Sequence, residues 1–138
     1  MPKYELIDHT ADLAAFFYGA DPKEVFENAG LALMELMVDR LPEQGGEKTD
    51  INLAGADFEE LLVHWLNELL YWFQVHLKLT TAIEVQELSA TKIIAAVSLA
   101  DFDLNQHGIK CEIKAATYHQ IEFREIEKDW RARVVFDL

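Results

Sequence analysis

The chain has 138 residues, 51% hydrophobic and 27% charged, the composition of one globular domain over 1–138 with enough apolar surface for a core. Twelve basic residues against 25 acidic ones give a net charge of −13, which disfavours phosphate backbones and anionic bilayers, so neither direct nucleic-acid binding nor a membrane partner is expected. No apolar run approaches the roughly 18 residues of a membrane span, and MPKYELIDHTAD lacks the apolar stretch of a secretory signal; the expected location is the cytoplasm.

In chain order, KYELI alternates like a strand, DHTAD is a turn-forming cluster, and LAAFFYG resumes a strand that ends at Gly19. Asp21, Pro22 and Glu24 then stand where an N-cap, a first helical residue and a capping box belong. Val25, Phe26, Ala29, Leu33, Leu36 and Met37 follow at helical spacing. After the loop DRLPEQGGE, KTDINL reads as a short strand. Asp57 and Glu60 open a second helix whose apolar stripe, Leu61, Leu62, Trp65, Leu66, Leu69, Leu70 and Phe73, is wide enough to lie deep against a sheet.

The remainder, TTAIEVQEL, TKIIAAVSLA, IKCEIKAAT, IEFREIE and WRARVVFDL, reads as five strands in a meander, with the lone Cys111 buried in one of them. The expected fold is α+β: two layers, a mostly antiparallel sheet with two main helices on one face.

Three stretches concentrate groups that can carry chemistry. DHTAD places Asp8, His9 and Asp12 in one loop, the raw material of a metal site or an acid/base pair, although Asp and Thr also build ordinary turns. In RARVVFDL, counting by twos sends Val134, Phe136 and Leu138 to one face and Arg133, Val135 and Asp137 to the other. Asp137 then either projects toward the N-terminal loop or is merely solvated. A hard cation wants several oxygens, and Asp12, Asp137 and the Leu138 terminus can supply them together. In EIKAATYHQIEF, Lys114 interrupts an apolar strand on the parity of Tyr118, with His119 at the following turn. His64, His76 and His107 read as structural. Glycine-rich phosphate loops, GxSxG, HExxH and paired CxxC motifs do not occur.

YELIDHTADLAAFFYG, FEELLVHWLNELLYWF, EIKAATYH and RARVVFDL, in that order and over nearly the whole chain, resemble the archease family. The resemblance implies a protein that is not itself an enzyme but activates an RtcB-type, GTP-dependent RNA ligase. Such an activator promotes guanylylation of the ligase's active-site histidine and repeated turnover in tRNA splicing and RNA repair. It further implies a divalent cation, calcium in the first place with magnesium or manganese as alternatives, on Asp12, Asp137 and a backbone oxygen of Leu138. Lys114 would complete the functional tip, with Asp8, His9 and His119 as weaker candidates. Leu13, Ala14 and Ala15 stand where many relatives carry a glycine, and DLNQHG is shorter than the family pattern. The other readings of the same residues are a metal-dependent hydrolase built on these acids and His9, and a chaperone-like scaffold for which the tip is dispensable.

Overall fold

A computed structural model describes residues 3–7, 12–42 and 45–138. The elements run β1 (Tyr4–Ile7), β2 (Leu13–Gly19), α1 (Pro22–Met37), β3 (Glu47–Ala54), α2 (Phe58–His76), β4 (Lys78–Ser89), β5 (Lys92–Asp101), α3 (Leu104–His107), β6 (Ala115–Ile126) and β7 (Asp129–Asp137). Strands pair antiparallel throughout, in a four-stranded sheet of order β1-β2-β7-β6 and a three-stranded sheet of order β3-β5-β4. The α+β class is as expected. The strands divide between two sheets, however, because β5 takes the distant β3 as its second neighbour and the chain crosses back through α3 before β6.

Both long helices start as their sequences dictate. Asp21 Oδ1 accepts from Glu24 N at 2.8 Å, and Asp57 Oδ1 accepts from Glu60 N at 2.8 Å. The reciprocal arms reach one residue further back than in the simplest capping box: Glu24 Oε1 takes Ala20 N and Glu60 Oε1 takes Ala56 N. α2 ends on Leu77 in the left-handed region at φ 53°, its N–H returned to Phe73 O at 3.0 Å. No helix among the described residues is long and apolar enough to cross a membrane.

The helices share one core with the inner sheet faces. α1 packs on β2 and β4, and α2 on β6, β4 and β3. Trp65 is fully buried and its Nε1 donates to Phe26 O at 3.0 Å, tying α2 to α1 while satisfying a polar atom that burial would otherwise strand. On β7 Val134 and Phe136 enter the core as the alternation predicts, with Ala132, whereas Leu138 is 46% exposed and Val135 of the other face is buried as well; Phe136 meets Phe17 of β2 edge-on at 6.3 Å. Gly19 ends β2 where α1 crosses it; a Cβ there would stand 2.6 Å from Val25 N and 2.9 Å from the Glu24 carbonyl carbon. Both obstacles are backbone, so neither can rotate away. Gly19→Ala is expected to destabilise the protein by about 1–3 kcal/mol, read as a lowered midpoint in urea.

Two expectations need correction. Residues 109–114 are not a strand, and Cys111 is half-buried outside any strand. The reason is where the backbone bonds go: Lys110 N and Cys111 N both donate to Met37 O, at 2.8 and 3.3 Å, docking the segment on the end of α1. Conversely AAT and IEFREI belong to one strand, β6. Its pairing passes from Thr117↔Val135 to Glu122↔Arg133, with Gln120 left-handed at φ 51° absorbing the extra residues as a bulge.

Candidate functional site

Strand register decides what lies at the end of the four-stranded sheet. Leu13 pairs with Phe136, so Asp12, the residue before β2, leads into the position beside Asp137, the last residue of β7. On the other side of β7, Ala115 pairs with Asp137, and Lys114 N donates to Asp137 O at 2.8 Å. Asp12, Asp137 and Lys114 therefore come from three adjacent strands and meet at one sheet end, with Leu138 continuing from β7. Asp137 and Lys114 are exposed, Asp12 is half-buried and Leu138 is 46% exposed.

Among the described residues none of the three charged side chains is in an ion pair. Two carboxylates at neighbouring strand ends repel, and the donors on offer are all oxygens, which matches a hard cation such as calcium and not a soft or imidazole-seeking one. The described residues hold no group of three or more His, Cys, Asp or Glu side chains suited to a metal, so the side-chain carboxylates at the tip number two and backbone or terminal oxygens would have to join them. Asp8 and His9 lie outside the described residues.

The start of β6 and Lys114 just before it are held by α2. Asn67 Nδ2 donates to Ala116 O at 3.1 Å, and Asn67 Oδ1 accepts from Ala116 N at 2.8 Å, a two-point amide clamp on the outer edge of β6. Seven residues along the same helix face, Gln74 Nε2 donates to Ile113 O at 3.1 Å and to Lys114 O at 2.9 Å. These two amides do for β6 what another strand would do for an exposed edge, and they set the backbone at Lys114. Residue-by-residue reading overlooked both. The available signal is a pair of amides two turns apart on a broadly apolar helix.

The remaining candidates lie elsewhere. Ala116, between Lys114 and Tyr118, is buried, while Tyr118 is 54% exposed on β6. The Tyr118 phenol is raised above its usual range, first by partial burial and then by the Glu60 carboxylate. His119 is exposed at the bulge, its N–H donating to Thr117 Oγ1 at 3.3 Å, five residues beyond Lys114. The other histidines have structural partners: His64 Nδ1 lies 2.8 Å from Ala54 O, His76 packs on Trp72 with centroids 4.8 Å apart, and buried His107 accepts Asp103 N at Nδ1 at 2.9 Å.

Two cavities flank this sheet. One of about 250 Å³ abuts the tip, lined by Phe73, Gln74, Ile109, Cys111, Ile113 and Lys114 among others. A larger one of about 610 Å³ opens at the far end of β2 around Lys3, Tyr18, Glu24, Glu27 and Asn28. Neither is lined by Asp12 or Asp137.

Comparison with known proteins places this geometry in context. Residues 4–138 match the model of the archease protein family. Archease proteins of Methanosarcina mazei and Archaeoglobus fulgidus are 37% and 35% identical, the first over 99% of this chain and 96% of its own length, the second over 99% of both. Among solved structures, a Methanobacterium thermoautotrophicum protein superposes with a TM-score of 0.80 at 30% identity over the whole of both chains. A Thermotoga maritima protein described as an archease and possible chaperone gives 0.67 at 21% identity, over 96% of this chain and 94% of its own, a likeness of fold.

Proposed function

The chain belongs to the archease family, and from that premise we propose that it activates a GTP-dependent RNA ligase of the RtcB type through the sheet end that carries Asp12, Lys114 and Asp137. The observation that carries the proposal is the register: Leu13↔Phe136 on one side of β7 and Lys114 N to Asp137 O on the other gather residues from both ends of the chain onto one edge. Asp12, Asp137 and a backbone oxygen of Leu138 are the groups that would hold a divalent cation, calcium in the first place. When bound, such an ion supplies positive charge for nucleotide phosphates. Asp12 and Asp137 would hold it, and the Lys114 ammonium, at the residue before the strand that Asn67 clamps, offers a second positive group to a phosphate or to a ligase carboxylate. The net charge of −13 favours encounter with a basic partner, with an association rate that falls as salt rises.

The test is multiple-turnover joining of a broken RNA by the cognate ligase and GTP. Added protein should raise the number of turnovers and should do nothing without the ligase. Joining or cleavage by this protein alone would favour an enzyme of its own, and full stimulation by tip variants would favour a scaffold.

A further inference from the structure

The sheet end accounts for one edge of the four-stranded sheet and leaves its outer face, opposite the helices, without a role. Register sets the residues there in rows. Arg124 of β6 pairs with Arg131 of β7, which pairs with Tyr18 of β2; in the next row Glu122 pairs with Arg133, Arg133 with Phe16, and Phe16 with Glu5 of β1. Three of the chain's four arginines thus occupy adjoining positions on one face of a protein with twice as many acids as bases.

Like charges directly opposite on neighbouring strands are destabilising, yet Arg124 faces Arg131. Arg124 has a carboxylate, Glu122 Oε1 at 3.5 Å. Among the described residues Arg131 and Arg133 are in no ion pair, and Arg133 Nε is buried without a hydrogen-bond partner. The Arg131 guanidinium instead sits over the Phe16 ring, its Cζ 4.2 Å from the centroid, and the Phe16 and Tyr18 ring centroids stand 6.2 Å apart. Arg124 and Arg131 are thus only partly compensated inside the fold, by one carboxylate and one ring, and Arg133 is in no ion pair among the described residues, which leaves positive charge on this face for a ligand from outside.

We infer that this face binds single-stranded nucleic acid, with Arg131 and Arg133 taking phosphates and the Arg131–Phe16 stack and Tyr18 offering planes to bases. The face is covered at Ala14 and Val135, which are buried, and partly exposed where Phe16, Tyr18, Arg131 and Arg133 lie; aromatic and guanidinium planes on a sheet suit unpaired bases, and the planar fork of arginine suits phosphate better than lysine does. An acidic protein segment would use the arginines but leave the aromatic planes without a purpose. The net charge of −13 opposes long-range attraction, as the composition argues. At physiological salt, however, charges beyond about 8 Å are largely screened, and Glu5 and Asp129 border the arginines without pairing with them among the described residues. Contact is therefore governed by the local cluster. This inference does not require the tip to act on a ligase.

The test is fluorescence anisotropy of a labelled 12-nucleotide oligouridine with the whole protein and no ligase present. Binding at 50 mM salt is expected to weaken about tenfold at 200 mM, the response of roughly two to three phosphate contacts on a single strand. Arg131→Ala/Arg133→Ala should lower affinity at least tenfold, and so should the more exposed Arg124→Ala/Arg131→Ala, with unchanged circular dichroism as the folding control. Arg131→Lys/Arg133→Lys should retain part of the affinity. No binding at 50 mM salt, equal binding by folded arginine variants, or displacement of the RNA by poly-glutamate at matched charge would overturn the inference, the last by assigning the face to acidic peptides.

Discussion

Asp137→Ala protein is expected to bind calcium at least about 100-fold more weakly than the unaltered chain while melting at nearly the same temperature. The two halves of that result have separate causes. Loss of groups that merely support a ligand costs 10–100-fold in metal affinity, so loss of a proposed ligand should cost at least as much. The fold, by contrast, does not use the side chain: Asp137 is exposed, and it is the backbone, through its O to Lys114 N and its pairing with Ala115, that closes the sheet. Exposed substitutions away from such bonds stay within about 0.5 kcal/mol. Removing the charge should even relieve repulsion from Asp12. Calorimetric titration with calcium beside a thermal melt makes the comparison, and a variant that keeps its calcium affinity would remove Asp137 from the proposed ligands.

Asn67→Leu is expected to have the opposite profile, a large loss of stability and an indirect loss of activation. Asn67 satisfies both Ala116 N and Ala116 O, and leucine satisfies neither. An orphaned buried polar group costs about 1–3 kcal/mol, so two of them should lower the unfolding free energy by roughly 2–5 kcal/mol, a large fraction of a typical domain's margin. Gln74→Leu should cost less because one of its two acceptors, Lys114 O, is exposed to solvent and only Ile113 O is left without a partner out of water. Its clearer consequence is a reduced stimulation of the ligase with calcium affinity preserved, since Lys114 would lose its positioning while both carboxylates keep theirs. Urea unfolding for the first variant and a ligase assay for the second read these outcomes.

How far the sequence foretold the molecule depends on the range of the forces involved. Helix starts at Asp21 and Asp57 were legible because capping is settled within four residues, and the core face of β7 at Val134 and Phe136 because alternation is a local property. IKCEI was misread as a strand because its alternation is strand-like, whereas its fate is decided by Met37, more than seventy residues away, whose carbonyl takes Lys110 N and Cys111 N. The division into two sheets is likewise a matter of distant pairing, β5 with β3. At the site, Asp12, Lys114, Asp137 and Leu138 were picked out by resemblance to a family, and their gathering at one sheet end follows from the register of β2, β7 and β6. Asn67 and Gln74 were invisible because an amide on a helix declares nothing about which strand it will clamp. The outer-face arginines were passed over for a different reason: the overall acidity of the chain conceals a cluster that only register assembles.

The central claim is that the Asp12–Asp137 sheet end drives charging of the ligase, and the most direct measurement is the single-turnover rate at which labelled GMP is attached to the cognate ligase from GTP. Unaltered protein should accelerate that step, whereas folded Asp12→Ala/Asp137→Ala protein should leave it at the rate of the ligase alone. Equal acceleration by the two proteins would contradict the account.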